Sequence, residues 1–190
     1  VLVFDIRYWL LTSTTYGTWL PGDDRGFVST VRDTRPEDHA PAPPSGRVRH
    51  NRFGTEYDRA VKGLRESARH LMKGPPVWLT SEQAGAVVEQ FRATCDYRTW
   101  RLLGVSVMSN HFHAVVAADG SVAGCKILGD LKSYASRRLN RQCGGRPGHR
   151  WWTESGSRRA LPGERAVSGA LEYLRTQHGC LASWFADQPA

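Results

Sequence analysis

Apolar residues recur along this chain at two spacings, every second residue or every third and fourth, and these mark strands and helices in turn. Tyr8 to Thr15 is rich in aromatic and β-branched residues and predicts a strand. It runs into Gly17-Thr-Trp-Leu-Pro-Gly-Asp-Asp-Arg-Gly26, where Pro21 and the glycines force turns. Residues 27 to 56 show little periodicity and hold Pro41-Ala-Pro-Pro-Ser-Gly46, followed by Arg47, Arg49, His50 and Arg52. A stretch this long between elements reads as an insertion, here with a basic end. Tyr57, Val61, Leu64, Ala68, Leu71 and Met72 are spaced as one helical face, which Gly74-Pro-Pro76 ends. Thr80 with Gln83 predicts a capping box. Behind it, Ala84, Val87, Val88, Phe91 and Cys95 predict a second amphipathic helix.

Trp100 to Met108 and His111 to Ala117 predict two strands, with Ser109-Asn110 as a tight hairpin connection. Ile127, Leu128, Leu131, Ala135 and Leu139 mark a helix over about 122 to 141. Residues 142 to 163 form a Gly-, Arg- and Trp-rich connection with a short edge strand at 157 to 161, and Glu164 to His178 is the last helix. This order predicts an α+β fold: one antiparallel sheet with helices packed on one face, close to the ferredoxin-like or RRM-like arrangement. We expect a single domain over residues 1–190, with an insertion at about 27–75.

Charge narrows the partner. Among 190 residues, Lys plus Arg number 26 against 18 for Asp plus Glu, a net +8. That balance favours a polyanion, nucleic acid before an acidic membrane surface. No stretch approaches the apolar length of a membrane span. Val1 to Leu11 contains Asp5 and Arg7 and reads as a first strand, not a signal peptide. Cys95, Cys125, Cys143 and Cys180 form no CxxC pair and predict reduced thiols in a cytoplasmic protein. Pairing Cys143 with His149, or His178 with Cys180, gives no second close pair for a zinc site.

The chemistry begins at Asn110-His-Phe-His113, at the head of a strand. Strand side chains alternate, so His111 and His113 leave one face, about 7 Å apart at their Cα atoms, while Phe112 enters the other. Neutral imidazoles so placed form a two-point metal chelate. A metal needs further ligands and the chemistry needs a nucleophile. The last helix offers Tyr173 and Gln177, four residues apart on one face, beside the apolar stripe of Val167, Leu171, Leu174 and His178. Ala166 and Ala170 lie on the tyrosine's side and allow a close approach to the sheet.

His111-Phe112-His113 resembles the His-hydrophobic-His motif of HUH endonucleases. Met108-Ser-Asn-His-Phe-His-Ala-Val-Val116 resembles the motif strand of insertion-sequence-200-like transposases, and Tyr173-xxx-Gln177 is similar to their nucleophile helix. Trp151-Trp152 through Arg159 resembles the connector of the REP-associated tyrosine transposases. Tyr16 to Gly26 resembles one subgroup of that branch, whereas Gln177 stands nearer the mobile-element transposases. The resemblance covers roughly residues 5–26 and 80–180 and implies the HUH endonuclease fold. It also implies a transposase that cleaves and rejoins single-stranded, hairpin-containing DNA. His111, His113 and Gln177 would hold one divalent ion, Mg²⁺ or Mn²⁺, and Tyr173 would attack the phosphate to give a 5′-phosphotyrosine link and a free 3′-hydroxyl. It leaves open a homodimer or a monomer.

Tyr134 is the rival nucleophile, beside the stripe of Leu131, Ala135 and Leu139. For DNA contacts the sequence offers Lys132, Arg137, Arg138 and Arg141 on one helix. It also offers Arg146, His149, Arg150, Arg158 and Arg159 around Trp151 and Trp152. Cations suit phosphates and rings suit bases. Arg47, Arg49 and Arg52 could add an arm. Two alternatives stand beside the transposase: a non-catalytic nucleic-acid-binding module on the same fold, and a metal-dependent phosphoesterase that uses water.

Overall fold

The computed structural model describes residues 5–26, 30–32, 47–49, 60–144 and 150–187. It divides into two compact units, Val1–Thr18 with Pro76–Ala190, and Trp19–Pro75. In chain order the elements are β1 (Ile6–Thr14), β2 (Thr30–Arg32), β3 (Arg47–Arg49), α1 (Lys62–His70), α2 (Ser81–Tyr97), β4 (Arg101–Met108), β5 (His111–Asp119), α3 (Gly124–Cys143), β6 (Ser157–Leu161), α4 (Glu164–Arg175) and β7 (Cys180–Phe185). No helix among the described residues is long and apolar enough to cross a membrane.

The first unit is an α+β sandwich on a five-stranded sheet of order β6-β1-β5-β4-β7, antiparallel at every pairing. β5 lies between β1 and β4, and β1 lies between β5 and β6, so two βαβ units interleave as in ferredoxin-like folds. Helix α2 starts at the expected capping box, with Thr80 accepting from the Gln83 N–H and the Gln83 side chain accepting from the Thr80 N–H. Its Ala84, Val87, Val88, Phe91 and Cys95 are buried, as are Ile127, Leu128, Leu131, Ala135 and Leu139 of α3. Gly144, at φ 76°, closes α3 in the left-handed conformation that glycine tolerates. Both helices cover the sheet face that carries Leu11, Phe112, Ala114 and Val116. Phe112 anchors this core, edge-on to Phe91 at 4.8 Å and to Trp152 at 5.2 Å.

Helix α4 does not join them. Its Ala170, Leu171 and Leu174 pack with Val115 and Leu161 on the opposite face, which corrects the expectation of helices on one face. The reason lies in β5, where Phe112 and every residue from His113 to Ala118 are buried. A strand apolar on both sides needs cover on both. Helix α4 comes close because β4 presents Gly104: a Cβ there would lie 2.8 Å from Leu171 Cδ2 and 2.8 Å from Phe185 Cδ1. Strand β7, which supplies Phe185, was not foreseen; it extends the sheet beside β4.

The second unit, Trp19–Pro75, contains the stretch expected as an insertion. It holds the two-stranded sheet β2-β3, where no strand was foreseen, and α1. Val61 N–H donates to the Gly22 carbonyl at 3.2 Å, and Gly22 takes φ 85°. Arg25 forms a two-pronged pair with Asp23 and lies over the Trp19 ring. Residues 57–59 of the expected helix, with His50 and Arg52, fall outside the described residues, as do the side chains of Arg47 and Arg49.

Gly104→Val should push α4 off the sheet and cost about 1–3 kcal/mol of stability. Urea denaturation of the two proteins measures it.

Candidate active site

The period of β5 sends His111, His113 and Val115 to the face that α4 covers. Cross-strand pairing then sets their neighbours. A row of short polar residues runs across the sheet, Ser157–Thr12–His113–Ser106–Ser183, one from each strand. On one side of His113, the Thr12 hydroxyl meets Nδ1 at 2.7 Å. On the other, the Ser106 hydroxyl donates to the Leu174 carbonyl at 2.9 Å, near the end of α4. Ser106 is fully buried, so this bond ties α4 to the row that holds His113.

That tether brings Tyr173, the residue before Leu174, over the histidines. The Tyr173 hydroxyl lies 3.3 Å from His113 Nε2, and the two rings meet edge-on at 5.0 Å. His111 and His113 stand 5.0 Å apart between ring centroids, nearly perpendicular. His113 is 6% exposed and Tyr173 is 45% exposed, so the set has a buried floor and an open rim that a polymer can reach. His111 Nδ1 lies 2.6 Å from Asn110 Oδ1.

Burial first, and the neighbouring His111 second, lower the His113 pKa to about 4. Its imidazole is neutral at physiological pH, the form that binds metals. An imidazole pair of this kind suits a divalent ion. Among the described residues no group of three His, Cys, Asp or Glu converges, so a further protein donor there would have to be of another type. Gln177 has a suitable amide oxygen. It follows the end of α4, and its Nε2 donates to the Tyr173 carbonyl at 3.0 Å, which keeps it beside the Tyr173 backbone.

Other expected site residues lie elsewhere. Tyr134 belongs to α3, on the opposite face, where Arg98 and Arg137 lie over its ring. The basic residues of α3 therefore stand away from the histidines. Lys132 Nζ donates to the carbonyls of Thr153, Glu154 and Ser155, and burial lowers its pKa to about 8. It holds the loop before β6. Arg138 pairs with Glu89 of α2, and Arg141 is exposed near the end of α3. Trp151 is 4% exposed, with its indole N–H donating to Asn140 Oδ1, and so belongs to the core instead of offering an open ring. Arg150 is paired with Glu154 at 3.5 Å. Arg146 and His149 fall outside the described residues.

On edge strand β6, Arg159 pairs with Leu10 and so shares the histidine face, while Arg158 faces the other way. Arg175 of α4, over the Phe185 ring at 4.8 Å, is a second cation on that face and was not singled out from sequence. Thr12 and Ser106 were also missed. Their signal is small: polar residues within strands that are otherwise apolar.

A strand-borne histidine pair beneath a helix-borne tyrosine, on one face of an antiparallel sheet, is an arrangement suited to phosphodiester chemistry. Residues 76–156 match the family model described as "Transposase IS200 like". The matched stretch contains His111, His113 and Tyr134 and stops short of α4. Among solved structures, the chain is similar to a REP-associated tyrosine transposase bound to a REP hairpin, with 9% identity, 88% of this chain and 64% of that one covered, and a TM-score of 0.44. It thus spans less than two thirds of that structure's length. A candidate transposase from Deinococcus radiodurans R1 is 13% identical over 91% of this chain and 92% of its own, with a TM-score of 0.42. At these levels neither likeness bears on the site. No curated protein matches the chain.

The lowered His113 pKa links folding to pH. The unfolded histidine, near 6.5, takes up its proton before the folded one as pH falls. Its contribution is complete above pH 6.5 and is lost as pH drops toward 4, by at most about 3 kcal/mol. Denaturation of metal-free protein across this range should show a flatter pH profile in His113→Gln than in the wild type.

Proposed function

We propose that the chain is a single-strand DNA endonuclease and strand transferase that works through Tyr173. The observation that carries this reading is the 3.3 Å approach of the Tyr173 hydroxyl to His113 Nε2, beside His111, with Tyr173 itself exposed to solvent. Tyr173 Oη gives up its phenolic proton and forms a bond to the scissile phosphorus, and the 3′ oxygen leaves with the electron pair of the broken bond and takes up a proton. The products are a 5′-phosphotyrosine and a free 3′-hydroxyl. The covalent link conserves the phosphodiester for rejoining, so no nucleoside triphosphate is consumed.

His111 and His113 would hold a divalent ion, Mg²⁺ or Mn²⁺, with Gln177 as third ligand. When bound, such an ion supplies Lewis acidity at the phosphate. The buried imidazole of His113 stays unprotonated for that role across the physiological range. Arg159 and Arg175 supply cations on the same face for the phosphates flanking the cut, a better-placed pair than the α3 residues. The substrate we expect is a single strand carrying a hairpin.

A labelled hairpin-bearing single strand with Mn²⁺ should give a protein–DNA adduct that survives denaturation. Tyr173→Phe should abolish the adduct and Tyr134→Phe should retain it. An adduct from Tyr173→Phe would exclude the nucleophile. DNA binding without any adduct from the wild type would favour the non-catalytic module, and cleavage without an adduct would favour the water-using phosphoesterase.

A further inference from the structure

Both histidines of the site are gripped at the same ring atom by a neighbour that has no other part in the proposed chemistry. His111 Nδ1 lies 2.6 Å from Asn110 Oδ1, and His113 Nδ1 lies 2.7 Å from Thr12 Oγ1. An amide oxygen can only accept, so His111 carries a proton on Nδ1, and in the neutral ring the lone pair is then on Nε2. Thr12 can donate or accept. At His113 the far nitrogen faces the Tyr173 hydroxyl at 3.3 Å, which can also donate or accept, so the tautomer that leaves the lone pair on Nε2 for a metal is the one in which Tyr173 donates. The two contacts are mutually consistent when His113 donates from Nδ1 to Thr12 and accepts at Nε2.

The supports themselves are fixed. Asn110 is the second residue of the β4–β5 turn. Its carbonyl accepts from the Thr15 N–H at 2.8 Å and from the Thr18 hydroxyl at 3.3 Å. Thr15 is fully buried and its own hydroxyl donates to the Val77 carbonyl at 2.6 Å. Thr12 sits directly opposite His113 in the β1–β5 ladder, so its side chain leaves the same face. The end of β1 therefore braces the histidine pair twice, through Thr12 directly and through Thr15 and Asn110.

We infer that Thr12 and Asn110 are positioning residues for metal: each accepts a hydrogen bond from the Nδ1–H of one histidine and thereby turns its Nε2 lone pair into the site. This rests on the reading of His111 and His113 as metal ligands. Partners of this kind fix both tautomer and ring orientation, and losing one typically weakens metal binding by about 10–100-fold.

The test uses the full chain, labelled with ¹⁵N-histidine. NMR of metal-free protein reports the tautomer of each ring, and Mn²⁺ alone, titrated by electron paramagnetic resonance, reports affinity. In the wild type both rings should carry the proton on Nδ1. Thr12→Val should release the His113 tautomer, and Asn110→Ala that of His111, each weakening Mn²⁺ binding by about tenfold or more. Thr12→Ser should restore both readouts, which separates orientation from a general loss of packing. Wild-type Nε2–H tautomers, or unchanged Mn²⁺ affinity in a folded Thr12→Val, would overturn the inference alone. Absence of Mn²⁺ binding by the wild type would overturn the metal site itself, and this inference with it.

Discussion

The site depends on one close approach, that of helix α4 to the sheet. Two features permit it. Gly104 leaves no Cβ where Leu171 and Phe185 meet β4, and the buried Ser106 hydroxyl captures the carbonyl of Leu174. A hydrogen bond of this kind is worth only about 1 kcal/mol net, yet leaving a buried donor unmatched costs more, so it specifies position more than it adds stability. Because Ser106 and His113 are cross-strand partners, fixing Leu174 fixes its neighbour Tyr173 above the histidine. Position along β4 thus becomes position at the site.

The sheet separates two tasks by its period of two. One face carries Leu11, Phe112, Ala114 and Val116 into a continuous core with α2 and α3. The other carries Thr12, His111, His113 and Ser106 as a polar margin next to the smaller cluster of Val115, Leu171 and Leu174. Phe112, between the two histidines, is wedged by Phe91 and Trp152. The rigid core thereby sets the direction in which both imidazoles point. Burial of His113 follows from the same packing and keeps its imidazole neutral.

Local signals were legible in the chain and long-range ones were not. The capping box at Thr80 and Gln83, the edge strand at Ser157–Leu161 and the shared face of His111 and His113 rest on spacings of a few residues, and the structure shows each. The face chosen by α4 was misjudged because it depends on which sheet surface is left apolar after two helices have docked. Thr12 reaches His113 across 101 residues, and strand register at that range leaves no local pattern. Lys132 and Trp151 looked like DNA contacts because charge and aromaticity favour a surface role. The three carbonyls that hold Lys132, and the Asn140 side chain that holds Trp151, are assembled only by folding. Tyr134 and Tyr173 could be weighed from sequence but were parted by the sheet itself, one on each side.

Under the proposed function, Tyr173 is the residue that joins DNA. Tryptic digestion of the protein–DNA adduct, followed by nuclease trimming and mass spectrometry, locates the bond. The account predicts a nucleotide on the peptide Ala166–Arg175, at Tyr173. A nucleotide on Ser133–Arg137, at Tyr134, would contradict it.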